Sequence, residues 1–86
     1  MELTRYDGTR FITEEEIDKE FTGKYALISF ESVENPWDEG YLIAVAAGGE
    51  GRNALSDIAM LELNSNATII YGCKERGVNL HVEVLG

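Results

Sequence analysis

Two runs of apolar and β-branched residues dominate the first half of this 86-residue chain. Residues 24–32 (KYALISFES) and 41–47 (YLIAVAA) are bounded by turn-forming residues, a pattern that predicts two strands. The second is apolar on both faces, so we expect it at the centre of a sheet with other elements packed on each side. Residues 33–40 contain Asn35-Pro36, which is typical of a turn and favours a hairpin connection.

A helix is predicted before these strands. Thr13 followed by Glu16 has the pattern of a capping box, and Ile12 and Ile17 are spaced to pack across the start of the helix. Gly23 is suited to end this helix after about two turns, because glycine readily adopts the left-handed conformation found at helix ends.

Asp7-Gly8 lies between residues 3–6 and 9–12 and is typical of a two-residue hairpin turn. Such a turn would place Arg5 opposite Arg10, and like charges that face each other across a strand pair are unfavourable. A short amino-terminal hairpin is therefore one interpretation of this segment, and its charges oppose it.

The second half of the chain contains one clear helix, one clear strand and one ambiguous segment. Apolar residues recur at intervals of three and four over 54–63, which predicts a helix, whereas residues 78–84 alternate between apolar and polar as in a half-buried strand. Residues 67–76 combine strand propensity with the form of a helix end around Gly77. We interpret them as a helix, and the alternative is a β-hairpin that turns at 74–77.

These elements predict a single α+β domain over residues 1–86. We expect two layers, with a mixed sheet of three to four strands covered by two or three helices. A right-handed crossover through the helical region would make strands 41–47 and 78–84 parallel. Because edge strands in so small a domain need protection, we also expect a homodimer that pairs along a sheet edge or across the helices.

Composition narrows the range of partners. Hydrophobic residues make up 44% of the chain and charged residues 27%, as in ordinary folded domains. Sixteen acidic residues against seven basic ones give a net charge of −9, which opposes the binding of nucleic acid. The longest apolar run, 41–47, is far shorter than the about 20 residues of a membrane-spanning helix, so we expect no membrane insertion.

The location of the protein follows from its first residues and its cysteine content. Residues 1–7 lack the basic region and the apolar stretch of a secretion signal, and Cys73 is the single cysteine. We therefore expect a cytoplasmic protein.

The glycines after the second strand form the first candidate site. Gly48, Gly49 and Gly51, followed by Arg52, Asn53 and a helix, are similar in arrangement to loops whose backbone amides hold phosphate. The pattern lacks the third glycine of a dinucleotide-binding motif and the Gly-Lys-Ser/Thr of a P-loop. A turn that needs positive φ angles is the favoured explanation, and a small-ligand or nucleotide site is the alternative.

Catalytic and metal chemistry have little support in the sequence. Cys73 and His81 are each alone in the chain, whereas tetrahedral zinc sites use several Cys or His ligands. A Cys–His nucleophile pair needs contact within about 3 Å. The predicted fold places Cys73 on the inner side of a helix end and His81 on the opposite, solvated face of a strand, so we expect the two side chains not to meet. We therefore expect no catalytic, metal-binding or cofactor-binding residues, and no enzyme.

A partner surface is the second candidate site. Trp37 lies in an acidic loop and could anchor an interface, while Glu14, Glu15 and Asp18 form part of an acidic run that could attract a basic protein. The favoured explanations of these residues, taken singly, are a tryptophan folded over the core and a solvated helix face. We expect a non-catalytic protein-interaction or assembly module, with a protein or a second copy of the chain as partner. The alternative function is small-ligand binding at residues 48–53.

One joint in the sequence resembles that of known domains. Phe21-Thr22-Gly23-Lys24-Tyr25 is an aromatic-x-Gly-Lys-aromatic joint between a short acidic helix and a strand. The chain resembles small bacterial α/β domains of unknown function that have a similar joint, over residues 14–32 and 74–84. Its segment 48–66 is longer than that pattern expects. The resemblance implies a fold and no activity, so it assigns no functional residue.

Overall fold

The computed structural model describes residues 2–30, 38–62 and 66–73. Within these ranges the chain forms five strands and two helices: β1 (Glu2–Arg5), β2 (Phe11–Thr13), α1 (Glu14–Glu20), β3 (Tyr25–Ser29), β4 (Glu39–Ala47), α2 (Gly51–Glu62) and β5 (Ala67–Tyr71). The strands form one open sheet in the order β1-β4-β3-β5, with β2 also paired to β4. All of these strand pairs are antiparallel. The α+β class is confirmed, but the predicted two layers and mixed sheet of three to four strands are not.

β4 is the central strand, as its two apolar faces predicted. One side of it pairs with β3, confirming the antiparallel arrangement of the two main strands, and the other side pairs with both β1 and β2. The register of β3 against β4 shifts between Leu27 and Ile28, which face Ala44 and Leu42. Ile43 is therefore the extra residue of a β-bulge, which bends β4 locally.

The prediction of an amino-terminal hairpin is wrong. β1 and β2 do not pair with each other but lie one after the other along β4, where Arg5 faces Ala44 and Phe11 faces Tyr41. The nine-residue β4 is long enough to accept both short strands, and this arrangement keeps Arg5 and Arg10 apart. Each arginine instead forms an ion pair, Arg5 with Glu62 and Arg10 with Glu20.

Two clusters of buried side chains lie on opposite faces of the sheet. Ala26 and Ile28 of β3 belong to one cluster, together with Ile17 of α1, whereas Leu27 between them belongs to the other. The second cluster contains Leu55 and Ile58 of α2. Because successive strand residues point to opposite faces, α1 and α2 cover different faces of the sheet.

The start of α1 agrees with prediction in detail. The Thr13 hydroxyl accepts from the amide of Glu16, and the Glu16 carboxylate accepts from the amide of Thr13, which completes the capping box. Ile12 and Ile17 are fully buried in the same cluster. Gly23 has a φ of 78° three residues after the helix, as expected of a left-handed glycine near a helix end.

Residues 67–71 form a strand, so the helix predicted over 67–76 is wrong. β5 pairs with β3 from Ala67 opposite Ser29 to Tyr71 opposite Tyr25. Ile70 is buried in the α1-side cluster and Ile69 packs against the α2-side cluster, so adjacent branched residues are used on opposite faces. The predicted strand 78–84, its parallel pairing and the turn of the alternative hairpin lie outside the described residues.

Candidate functional site

The glycine-rich turn is explained in large part by local structure. Gly48 has a φ of 100°, and its carbonyl accepts a hydrogen bond from the amide of Gly51 at 3.1 Å. A Cβ on Gly51 would lie 3.0 Å from the Cβ of Ala46, so the start of α2 approaches β4 closely. The Gly51 amide is thus used within the turn. Arg52 and Asn53 follow as exposed residues in the first turn of α2.

The acidic residues predicted as a partner surface differ from one another in burial and in contacts. Asp18 is half-buried, and its Oδ1 accepts a hydrogen bond of 2.8 Å from the amide of Cys73. Glu15 is exposed and forms an ion pair with Lys19, N to O 3.8 Å, while the half-buried Glu14 donates its amide to the carbonyl of Asp38 at 2.7 Å. Asp18 therefore connects α1 to the end of β5, which is a structural role. Trp37 lies outside the described residues.

The groups considered for catalysis are not brought together in the described part of the chain. Cys73 is half-buried two residues after the end of β5, not on a helix end as predicted, and His81 lies outside the described residues. No group of three or more His, Cys, Asp or Glu side chains in residues 2–30, 38–62 and 66–73 is placed to hold a metal ion.

The shifted pKa values lie on the surface and have local causes. The hydroxyl and the amide of Thr9 donate to the carboxylate of Asp7 and lower its pKa. Arg10 donates to both carboxylate oxygens of Glu20, which lowers the pKa of Glu20 and raises the pKa of Arg10. These contacts stabilise the 6–10 turn and attach it to the end of α1.

A groove runs between α2 and β5, and we call it the α2–β5 groove. Its helix wall consists of Arg52, Ser56, Ala59 and Met60, which lie on one side of α2 because they are spaced by three and four. The other wall is formed by residues 67–69 of β5, with Leu27 of β3 also contributing to the lining. The groove has a volume of about 240 Å³. That is below the about 300–1,000 Å³ of sites for drug-sized ligands, so it fits side chains or a very small molecule.

The outer edge of β5 borders this groove. The amide of Phe30 donates to Asn66, and the amide of Gly72 donates to Lys24, so these two residue pairs are hydrogen-bonded across the strands. In an antiparallel ladder such pairs alternate with pairs whose backbone groups point away from each other. By this alternation Thr68 and Ile70 bond to β3, whereas the amide and carbonyl groups of Ala67 and Ile69 point outward. Within the described ranges no hydrogen bond reaches these outward groups.

Arg52 differs from the other basic residues of the described chain. Arg5, Arg10, Lys19 and Lys24 each form an ion pair with an acidic side chain. Arg52 forms none with any described residue, although the chain has nine more acidic than basic residues. The groove lining contains this cation and no carboxylate.

The groove was not predicted because its β5 wall was interpreted as a helix. The branched run Thr68-Ile69-Ile70 was the available signal for a strand, and the helical spacing of Arg52, Ser56 and Met60 was the signal for a shared face. Comparison of the chain with family models, with curated proteins and with solved structures finds no match. In the part of the chain that the structure describes, neither helix has the length and apolar character needed to cross a membrane.

Proposed function

We propose that this chain is a non-catalytic, cytoplasmic protein-interaction or assembly module that binds through the edge of β5 at Ala67 and Ile69. The observation that supports the proposal is the pair of outward backbone groups at Ala67 and Ile69, which have no partner in the described residues. An edge of this kind offers donors and acceptors that another strand can satisfy, which is the basis of binding by strand addition.

The two edges of the sheet differ in their protection. The edge opposite β5 is formed by β1 and β2, two short strands separated by the 6–10 turn, and it includes the charged residues Glu2 and Arg5. Short edge strands and charged side chains discourage pairing with another chain. β5 is continuous, and its five residues, Ala-Thr-Ile-Ile-Tyr, are uncharged. Strand addition is therefore expected at β5.

The experiment compares variants of Ala67, the first residue of β5. Proline at position 67 removes an outward amide without removing a hydrogen bond to β3, and proline is tolerated at the start of an edge strand. Serine at the same position keeps the amide. We expect Ala67→Pro to lose the protein partners captured from the source cells by the wild type, and Ala67→Ser to retain them. Urea unfolding of both variants checks that the sheet is intact.

The surface predicted from the sequence provides the competing arm. Trp37→Ala and Glu15→Gln change that surface while β5 keeps its sequence. If these variants lose the partners and Ala67→Pro keeps them, the binding surface is the acidic helix α1 or the segment around Trp37, and the β5 proposal is wrong. If no variant changes the captured set, neither surface is an interface.

A second copy of the chain is the homodimeric form of the same proposal. Two β5 edges could pair in an isologous contact. Sedimentation at increasing concentration should then show dimers for the wild type and for Ala67→Ser, but monomers for Ala67→Pro. Monomers of all three proteins would contradict the homodimer.

Small-ligand binding at residues 48–53 is the alternative function, and we rank it second. The Gly51 amide and the positive φ of Gly48 serve the turn itself. Thermal unfolding in the presence of a panel of nucleotides near millimolar concentration tests this alternative. A site with a Kd of similar size should stabilise the fold by about 0.4 kcal/mol, and no stabilisation would argue against the site.

A further inference from the structure

We infer that the partner segment is an extended peptide with a carboxylate and an apolar side chain on one face, the carboxylate binding Arg52 and the apolar side chain filling the α2–β5 groove. This inference rests on the proposed function, because it assumes that the peptide pairs with the edge of β5. It adds the chemical class of the partner.

The backbone of the peptide is specified by β5. Ala67 and Ile69 are two residues apart, so their outward groups lie on the same edge and match alternate residues of an added strand. A small carboxylic acid without a peptide backbone could reach Arg52, but it would leave these outward groups without a strand partner. The edge and the groove together therefore favour a peptide over a small molecule.

The side chains of the peptide are specified by α2. Arg52 and Met60 are eight residues apart, which is about 12 Å along a helix. Alternate side chains of a strand share a face and repeat at roughly 6.8 Å, so three alternate residues span this wall. The polar end of the wall has Arg52 and Ser56, and the apolar end has Ala59 and Met60. An added strand thus places an acid at one end and apolar side chains along the rest.

Charge complementarity determines the choice of an acid. Four of the five described basic residues are neutralised by acidic side chains of this chain, and Arg52 is the exception. Met60 is 74% exposed, so the apolar end of the groove also lies open to solvent. A ligand with a carboxylate and an apolar side chain satisfies both ends, whereas a basic peptide would meet Arg52 as a like charge.

The test uses three synthetic peptides with a common backbone. Acetyl-TVTVTE-amide has an acidic side chain on the valine face, acetyl-TVTVTV with a free carboxyl end has a terminal carboxylate, and acetyl-TVTVTQ-amide is neutral. Titration into the ¹⁵N-labelled full chain gives the Kd, and hydrogen exchange reports the amide of Ile69. We expect the best acidic peptide to bind about fivefold more tightly than the neutral one, as for an exposed ion pair. If the peptide with glutamate binds more tightly, the carboxylate of the partner is a side chain; if the peptide with the free carboxyl end does, it is a chain terminus.

Variants of the chain separate the contributions of Arg52 and Met60 to peptide binding. Arg52→Gln should remove the preference for the acidic peptide and keep the protection of the Ile69 amide, while Arg10→Gln, on a cation paired with Glu20, should change neither. Met60→Ser should weaken all three peptides, and Leu61→Ser, the adjacent residue that does not line the groove, should not.

Three other results of these experiments would contradict the inference in different ways. Equal binding of the three peptides with protection at Ile69 would overturn the role of Arg52 and leave strand addition in place. Failure of every peptide to bind would overturn the inference, and the function would then depend on the Ala67 variants alone. Slow exchange of the Ile69 amide in the free chain, with destabilisation by Ala67→Pro, would show that residues of the chain itself cover the edge, which overturns both proposals.

Discussion

Among single residues, Gly72 marks a close approach of the backbone just after β5 to the end of α1. A Cβ there would meet the backbone carbonyl of Phe21, with the carbon atom 2.8 Å away, and would also lie 3.1 Å from the carbonyl oxygen of Ile17. Gly72 also donates to Lys24 and accepts from Gly23, each at 2.9 Å. The absence of a side chain therefore lets the end of β5 lie against the end of α1.

Replacing Gly72 with alanine should destabilise the fold by about 2–3 kcal/mol, because the added methyl group is forced against backbone rather than against a flexible side chain. Gly49→Ala is the matched control, since no atom lies within 4 Å of its added Cβ. Urea unfolding of both variants measures the difference. Equal stability of the two would contradict the close approach of β5 to α1.

Asp18 provides a second contact between these elements. We expect Asp18→Ala to cost about 1–3 kcal/mol, because it leaves the amide of Cys73 without its acceptor. Asp18→Asn keeps an oxygen at the same position and should cost less. The free energy of unfolding from urea titration distinguishes them; an equal loss in both variants would show that the charge, and not the acceptor, stabilises this contact.

At the scale of elements, α1 is only seven residues long and depends on its ends and its packing. Isolated helices of this length are unstable in water, so the capping box and the buried Ile17 must compensate. The three glutamates of the first turn add a favourable interaction with the helix dipole.

Thr13→Ala should destabilise the protein by about 1 kcal/mol, because the amide of Glu16 loses its acceptor. Thr13→Ser keeps the hydroxyl and serves as the control. Thermal unfolding followed by far-UV circular dichroism measures both. A melting temperature for the alanine variant equal to that of the serine variant would contradict a contribution from the cap.

The two helices also differ in what they leave exposed. Three glutamates within α1 are used in its cap and its ion pairs, whereas α2 leaves Met60 and Leu61 exposed at 74% and 86%. This difference in exposed side chains is why we propose the interface on the opposite face of the sheet, where α2 lies beside the edge of β5 at Ala67 and Ile69.

At the scale of the whole molecule, charge links stability to pH. The pKa of Glu20 in the folded chain is lowered by Arg10, and that of Asp7 by Thr9. For a group whose folded pKa is depressed, the stabilisation is complete above its unfolded pKa and is lost as the pH falls through the folded pKa. Acidification below the ordinary carboxyl range should therefore destabilise the fold through these groups.

Urea midpoints measured from neutral pH down to about pH 3 check this expectation. The wild type should lose more stability on acidification than Glu20→Gln, because the variant has no carboxylate to protonate at that position. Parallel pH profiles for the wild type and Glu20→Gln would contradict a coupling between Glu20 and Arg10.

Local interactions and residue pattern were sufficient for several elements. The capping box depends on four consecutive residues, so Thr13 and Glu16 predict it without knowledge of the fold. The apolar run at 41–47 predicts a central strand because both of its faces must be buried, and the spacing over 54–63 predicts α2 for a similar reason. Each of these patterns predicts which side chains are buried, and the two core clusters confirm that burial.

The pairing partners and the groove depended on tertiary structure. Residues 68–70 are branched and in isolation fit either a helix or a strand. In the fold they form a strand because β3 offers backbone hydrogen bonds, and because Ile70 and Ile69 can then pack into clusters on opposite faces of the sheet. The charges of Arg5 and Arg10 argued against a hairpin, but only the length of β4 provided the alternative of two strands along one edge. The candidate site combines residues 52–60 of α2 with residues 67–69 of β5, which meet on one face of the sheet. Because this proximity results from the packing of a helix on the sheet, no local sequence pattern contains it.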